Sequence, residues 1–404
     1  MKKIVHLVEY ILMFLLIIEA NSIYTDQFGT SKIRFLIIAI MGVLVLLNSV
    51  QLVVTRNVIK KVLTFYILYF ISLVSLVLMH SDFDNKFILN YFVALPLGVL
   101  LVVVYLIKFN FLVLVEKFNN IVLLLAIISL FFWIFGSVLQ FLSPTNYILS
   151  NWAENRIDSS YYGIYYETQR ILVFDNVFIR NTGMFPESPM WSFPLCLALI
   201  NEHYLVKKSS NIKKMILSLT ILTTFSTTGI FVAGLIYIYK LIYKYKGKYK
   251  VFFLTIVSTI IGFLAIVLRE KSKTGSASLR YDDFEIGLSI WKENIFFGVG
   301  GSFSAAITSR MEASTRGLGY SNGLFVVLVT GGIILFLISF SWLVYFMVSR
   351  IKLDYKFIGL LILFLIFNTI VSETILFLFI CAIGYGIVLA GDYRGMDIEV
   401  SRSV

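Results

Sequence analysis

Long uninterrupted apolar runs constrain this chain more than any motif does. Residues 35–54, 87–107, 121–142 and 251–268 are almost wholly apolar. Each approaches the ~20 residues with which a helix crosses ~30 Å of hydrocarbon. None shows the period-two alternation of a transmembrane strand, which argues against a barrel. Hydrophobic residues make up 59% of the 404, against ~45–50% in soluble domains, and an excess ordered in this way needs an apolar solvent. The expected fold is all-α: a polytopic transmembrane helical bundle of about twelve helices.

Those helices are expected at residues 5–21, 33–54, 62–79, 87–107, 119–142, 189–206, 212–226, 229–244, 251–268, 322–347, 357–371 and 375–391. The last two also read as one helix bent around Ser372 and Glu373. Lys2 and Lys3 precede the apolar stretch 7–20 and no small-residue cleavage site follows, so the first helix reads as a retained signal anchor. Cys196 and Cys381 lie inside apolar runs, and His6, His80 and His203 are scattered. No disulfide framework or metal spacing follows from them.

Orientation comes from lysine and arginine, which are in excess on cytoplasmic loops. With the N-terminus in the cytoplasm and sides alternating, the inner segments hold 21 of the 34 basic residues. The outer segments hold the other 13, with 16 of the 23 acidic residues. The expectation is a multi-pass protein of the cell (inner or plasma) membrane with both termini cytoplasmic. Inner anchors beside anionic lipid account for the net charge of +11, so membrane lipids are expected partners and nucleic acid is not.

The chain divides into 1–142, the first five helices; 143–188, a large outer loop; 189–268, helices six to nine; 269–321, a second large outer loop; and 322–404, the last three helices and a cytoplasmic tail. Loops this long in a compact protein are functional or disordered. The first is dense in aromatics, among them Trp152, Tyr161, Tyr162, Tyr165 and Tyr166. The second holds an amphipathic stretch, 279–297, expected to lie across the membrane surface. Two ordered segments that cap the bundle are expected. No internal repeat of the inverted-transporter kind is visible.

Arginine concentrates in these two loops as Arg156, Arg170, Arg180, Arg269, Arg280, Arg310 and Arg316. A guanidinium grips phosphate or carboxylate with a planar fork, where lysine offers a point charge. A cleft of outer arginines therefore suits an anionic, phosphate-bearing ligand. The plainer reading of any one of them is a solvated loop charge paired with Asp or Glu. Gly183, Pro186 and Pro189 impose a turn that sets Glu187 at the start of the sixth helix, either as a simple helix-start acid or as a base. The Ser-Thr-Thr-Gly turn at 226–229 reads first as a close helix contact and second as a backbone anion site. In the second loop Arg280 stands by Asp282 and Asp283, either acid/base groups or a surface salt bridge; Trp291, a glycine cluster from Gly298 and Asn322 follow. The glycine cluster lacks the Lys-Ser/Thr end of a P-loop.

Four landmarks occur in order: Arg180, Gly183, Phe185 and Glu187; the 226–229 turn; Ser278 and Arg280 followed by Trp291, Gly298 and Gly300; and Asn322 followed by Gly331. Together they resemble the O-antigen polymerase and O-antigen ligase superfamily, the Wzy/WaaL-like membrane glycosyltransferases. The resemblance spans residues 180–332. The ligase branch usually carries a His before this Asn, where Ser321 follows Tyr320 here, and the turn usually has Ser-Arg where Thr227-Thr228 stands. The missing His favours the polymerase branch.

The resemblance implies a repeat-unit polymerase for O-antigen, capsule or exopolysaccharide. Its donor would be an undecaprenyl-diphosphate-linked oligosaccharide, and its acceptor the nonreducing end of the next lipid-linked unit at the outer face. A flippase and a chain-length regulator are candidate partners. Arg280 and Arg180 would stabilise the leaving diphosphate, and Glu187 would be the base for the acceptor hydroxyl. Arg310, Arg316, Asp282, Asn322 and Trp291 would bind substrate, and aromatics of the first loop would stack on sugars. No metal-ligating cluster stands in the sequence, so a metal-independent reaction without cofactor is expected. Three rivals stay open: ligase transfer to another acceptor; a non-enzymatic lipid-linked oligosaccharide flippase or exporter, whose charges belong in a central cavity; and a structural assembly factor, which would not need arginine-rich loops.

Overall fold

The computed structural model describes residues 2–50, 52–80, 82–109, 111–150, 156–173, 176–206, 209–244, 276–313, 320–349 and 351–390. The helix expected at 251–268 lies outside them, as do Trp152, Arg269 and Arg316. The other eleven expected helices are present. They are α1 (Lys2–Glu19), α3 (Thr30–Ser49), α4 (Arg56–Met79), α5 (Asn85–Ile88) continuing into α6 (Leu95–Lys108), α7 (Leu112–Phe132), α8 (Ser188–Tyr204), α9 (Asn211–Thr223), α10 (Thr227–Lys244), α13 (Gly323–Val348), α14 (Leu353–Phe367) and α15 (Ile375–Ala390). Three further helices are α2 (Ile23–Phe28), α11 (Ser276–Glu293) and α12 (Phe303–Ala313). Five stretches are long and apolar enough to cross a membrane: Thr30–Ser49, Arg56–Met79, Asn85–Lys108, Leu112–Val138 and Gly323–Val348. The chain is an all-α polytopic membrane protein.

Two helices show how lipid shapes the pattern. On α4, Ile59, Leu63, Ile67, Ile71, Val74 and Leu78 are exposed along one stripe while Val58, Tyr69, Leu73 and Leu76 are buried. Water would penalise that stripe, whereas lipid tails are as apolar as leucine. The helix α15 is buried on nearly every side and packs along α6. Small residues permit close contacts on two sides: a Cβ on Gly386 would stand 2.3 Å from Val102 of α6, and one on Gly384 would stand 2.2 Å from Trp342 of α13.

Irregular backbone in such a bundle needs internal hydrogen bonds, because lipid supplies none. Pro96 has no N–H to give, and the helix before it widens into a π turn, Leu89–Ala94. There the Tyr91 carbonyl accepts from the Tyr69 hydroxyl. A larger irregularity divides α13. Its expected continuous helix is broken at Gly331 (φ −138°, ψ 18°) and Gly332 (φ 60°, ψ −154°). The glycine-rich turn after α11 inserts at the break: Val299 N–H donates to Val329 O at 2.8 Å and Ile333 N–H to Ile295 O at 2.9 Å. The amphipathic stretch expected at the membrane surface is therefore α11, packed on α13, with the Phe284 ring edge-on to Phe325 at 5.3 Å.

The first large loop is a small cap of five short strands: β1 (Asn146–Ser150), β2 (Arg156–Tyr161), β3 (Tyr165–Glu167), β4 (Arg170–Val173) and β5 (Asn176–Ile179). Strands β1, β2 and β3 form one antiparallel sheet, and β4 and β5 form a hairpin. Tyr162 (φ 53°) and Gly163 (φ 68°) make the type I′ turn between β2 and β3. Of the aromatics expected to stack on sugars, Tyr161, Tyr165 and Tyr166 are buried instead. Tyr161 and Tyr165 lie against Phe132 of α7 and dock the cap on the bundle.

The break in α13 makes a direct prediction. A Cβ on Gly332 would stand 2.3 Å from Phe296 O in a backbone conformation that L residues rarely adopt. Gly332→Ala should lower stability by about 1–3 kcal/mol, read as the melting of purified protein in detergent. Gly42→Ala, where a Cβ meets nothing within 4 Å, should not lower it. Equal melting of the two variants would contradict the account of the break.

Candidate functional site

Four irregular stretches meet at one end of the bundle: segment 180–187, the turn 224–228 between α9 and α10, the start of α11, and a strap, 368–374, between α14 and α15. The first is fixed by its buried polar residues. Asn181 N–H donates to Thr223 O at 3.0 Å, and the Asn181 amide donates to Thr223 Oγ1 at 3.0 Å and Ser129 Oγ at 3.3 Å. Gly183 (φ 58°) runs so close under Trp191 that a Cβ there would touch the indole at 3.0 Å. Phe185 stacks on Trp191 at 5.5 Å.

Arg180 is half-buried, and its Nε and Nη2 donate to the carbonyls of Thr224 and Phe225, each at 3.0 Å. Those carbonyls are available because α9 has ended and Phe225 takes a left-handed φ of 49° before α10 begins. Burial pulls the Arg180 pKa down to about 10; Glu187 opposes the fall and Arg280 adds to it. Arg280 is held in a parallel way, by Thr228 Oγ1 at 3.2 Å and Asn368 Oδ1 at 2.9 Å. Burial lowers its pKa as well, against the pull of Glu187 and Asp283. The structure thus brings Arg180, Arg280 and Glu187 into one electrostatic cluster, with Asp283 beside them. Among the described residues both guanidiniums donate to neutral oxygens, and each has five N–H donors, more than these contacts use.

Glu187 is the N-cap residue of α8, but its side chain makes no capping hydrogen bond. Gln169 Oε1 takes the Ser188 N–H instead, at 3.1 Å. The carboxylate therefore stands at the positive end of α8 without serving as its cap. Asp283 is buried on α11 and accepts from Ser321 N–H at 3.0 Å and from the Ser321 hydroxyl. Burial and the Asp283 charge push the pKa of the neighbouring Tyr320 up.

The remaining expected residues lie elsewhere or are differently engaged. Arg310 on α12 pairs with Glu293 at 2.7 and 2.8 Å and donates to Ser289 Oγ at 3.1 Å. Trp291 donates to Ile295 O at 3.2 Å and packs against a small apolar cluster of α11, α12 and α13. Asn322 is buried and caps α13, its Oδ1 accepting from Phe325 N–H at 3.2 Å. Asp282 is partly buried beside Asp283, and Arg316 lies outside the described residues. At the 226–229 turn, a Cβ on Gly229 would meet Ser192 at 2.8 Å, which is the close helix contact expected there. Asn368 and the Thr224 and Phe225 carbonyls went unsuspected. A polar Asn between two apolar helices was the available signal for the first, whereas no residue type announces a carbonyl.

Residues 214–340 match the O-antigen ligase family, Wzy_C. That span takes in Thr228, Arg280, Asp283, Ser321 and Asn322, and leaves Arg180 and Glu187 on its N-terminal side. The match supports the resemblance to the Wzy/WaaL-like superfamily of membrane glycosyltransferases and does not separate its polymerases from its ligases. No curated protein matches the chain.

Arg180 also has a structural consequence. Arg180→Ala leaves the Thr224 and Phe225 carbonyls short of donors in a half-buried turn, which costs about 1–3 kcal/mol. Arg180→Lys should recover part of the loss, since it keeps one donor group. Melting of the purified variants checks this, and an Arg180→Ala protein as stable as the parent would contradict the assignment.

Proposed function

We propose, with the O-antigen ligase match as premise, that the protein is a polysaccharide repeat-unit polymerase. It acts at the outer face of the cell membrane with both termini in the cytoplasm, and takes glycan from a lipid diphosphate. One observation carries the reading: Arg280, remote in sequence from Arg180 and Glu187, is tied to the same α9–α10 turn as Arg180 and shares a half-buried charge cluster with both. A diphosphate leaving group needs fixed positive charge, and an acceptor hydroxyl needs a base.

The transfer balances as follows. The acceptor hydroxyl oxygen bonds to the anomeric carbon of the donor. The bond from that carbon to the diphosphate oxygen breaks, and its electron pair leaves with the lipid diphosphate. The hydroxyl proton passes to the Glu187 carboxylate. Arg180 and Arg280 meet the charge that grows on the diphosphate, and donors already fixed by Thr224, Phe225, Thr228 and Asn368 reorganise little as it grows. No metal is asked to take part. A second reading, ligase transfer to another acceptor, draws on the name of the matched family; Ser321 in the place of the usual ligase His speaks for the polymerase. Flippase and chain-length regulator partners belong to the same proposal.

Two expected outcomes test it. Tyr162→Cys, on the exposed turn of the cap, should react with a membrane-impermeant maleimide from outside intact cells. Asn211→Cys, at the start of α9, should react only after permeabilisation; the reverse pattern would invert the topology. Arg280→Lys should insert and accumulate normally, since the charge is kept. It loses the fork that grips two phosphate oxygens at once. Loss of one such contact in a transition state costs about 10²–10³ in rate, read as chain extension by the purified protein on lipid-linked repeat units. Near-normal extension would return Arg280 to a structural role, in which it only ties α10 to the strap.

A further inference from the structure

A cavity of about 150 Å³ opens beside the N-terminal half of α13, lined in part by Lys86, Phe87, Asn90, Thr330, Ser372 and Glu373. None of these residues belongs to the arginine cluster, but the strap serves both places. Its Asn368 accepts from Arg280, and its Glu373 pairs with Lys86.

Among the described residues, two buried polar atoms on the cavity wall have no partner. Asn90 is 3% exposed and its Oδ1 accepts nothing; Ser372 is 3% exposed and its hydroxyl is unbonded. Such an atom costs about 1–3 kcal/mol, and native structures keep few without a reason. Asn90 owes its position to the π turn, a form frequent at functional sites. The Asn90 amide is held by the Glu373 carbonyl at 3.1 Å, which leaves the side-chain oxygen for a ligand. Lys86 and Glu373 pair at a partly exposed site, with 39% and 33% of their side chains accessible. They offer a donor and an acceptor that sum to no charge. Phe83 and Phe87 stack beside them at 4.0 Å.

One cation against two carboxylates, Glu373 and the α5 cap Asp84, together with an aromatic wall, suit a neutral polyhydroxylated ring better than an anion. Each sugar hydroxyl both donates and accepts, and the C–H face of a sugar packs on an aromatic ring. A phosphate would face the Glu373 carboxylate. We propose that this cavity is a sugar subsite that takes the terminal residue of the acceptor glycan, with Ser372 and Asn90 hydrogen-bonded to its hydroxyls. The word acceptor rests on the polymerase reading, whereas a sugar subsite here does not.

The test uses the full-length protein with Ser304→Cys, a substitution on the exposed part of the cavity wall. Cys196 and Cys381 are fully buried, so a maleimide reports the new thiol. The probe is the repeat-unit glycan released from the strain's own lipid-linked pool, with inorganic diphosphate as the comparison. The glycan should slow labelling in a saturable way and diphosphate should not. Adding Ser372→Ala removes a hydroxyl that bonds to nothing among the described residues, so a residue without a ligand predicts unchanged melting and unchanged protection. The subsite predicts unchanged melting with about 3- to 10-fold more glycan needed for the same protection, and the same rise in acceptor KM with kcat kept. Chain extension without protection, or protection indifferent to Ser372→Ala, overturns the subsite. Protection by glycan in a protein that extends no chain supports the subsite and overturns the polymerase reading instead.

Discussion

A buried ion pair between Glu19 and Arg34 holds together the parts from which both sites are built. Arg34 Nε donates to Glu19 Oε1 at 2.6 Å, with both side chains almost fully buried. The remaining valences go to one place. Glu19 Oε2 accepts from Ile375 N–H at 2.6 Å, at the start of α15, and Arg34 Nη2 donates to Glu373 O at 2.8 Å. Removing one partner of such a pair strands a charge and costs about 3–5 kcal/mol, so the ends of α1, α3 and the strap stay joined. Nearby, Asn21 donates to Ile370 O at 2.6 Å and Ile23 N–H donates to Met184 O at 3.0 Å. The same knot thereby reaches the segment that carries Arg180 and Glu187. From the strap it is one step to Asn368 and Arg280, and another to Glu373 and Lys86.

The broken helix α13 obeys the same constraint. A run of apolar residues in lipid has no reason to abandon helical hydrogen bonds unless other protein groups replace them. The turn after α11 replaces them, and it fits because Gly298 and Gly332 have no side chains. A Cβ on Gly298 would stand 2.4 Å from Val329 O. The break pins the hairpin of α11 and α12 against α13, which fixes Asp283 opposite Ser321 and the start of α11 beside the α9–α10 turn. Glycines in an otherwise oily helix and glycines in a polar loop are thus two halves of one joint.

The helices were legible because most apolar runs are long, and the structure moves the starts of two of them, at Arg56 and Leu112, outward from the expected 62 and 119. Arg180, Glu187 and Arg280 are candidates for a different reason: they stand at the landmarks of a family pattern, in order. What holds them was not legible. Arg280 meets Thr228 and Asn368 across 52 and 88 positions, and no local pattern encodes a contact between helices so far apart. Arg310 has the same side chain and the same loop as Arg280, yet it pairs with Glu293, because a helical hairpin brings residues seventeen apart together. Residue type could not tell those two arginines apart. The tyrosines of the first loop were misread for the converse reason. Aromatic side chains serve a dry interface as well as a sugar face, and the strands of the cap turn Tyr161 and Tyr165 inward.

The most direct test of the central claim is the glycan made by cells that lack this protein. If it polymerises repeat units, deletion leaves single units or very short chains on the cell while lipid-linked units accumulate, and a plasmid copy restores the long chains. Long-chain polymer of unchanged length in the deletion strain would contradict the claim. Long chains that form but stay on their lipid would assign the protein to the ligase reaction instead.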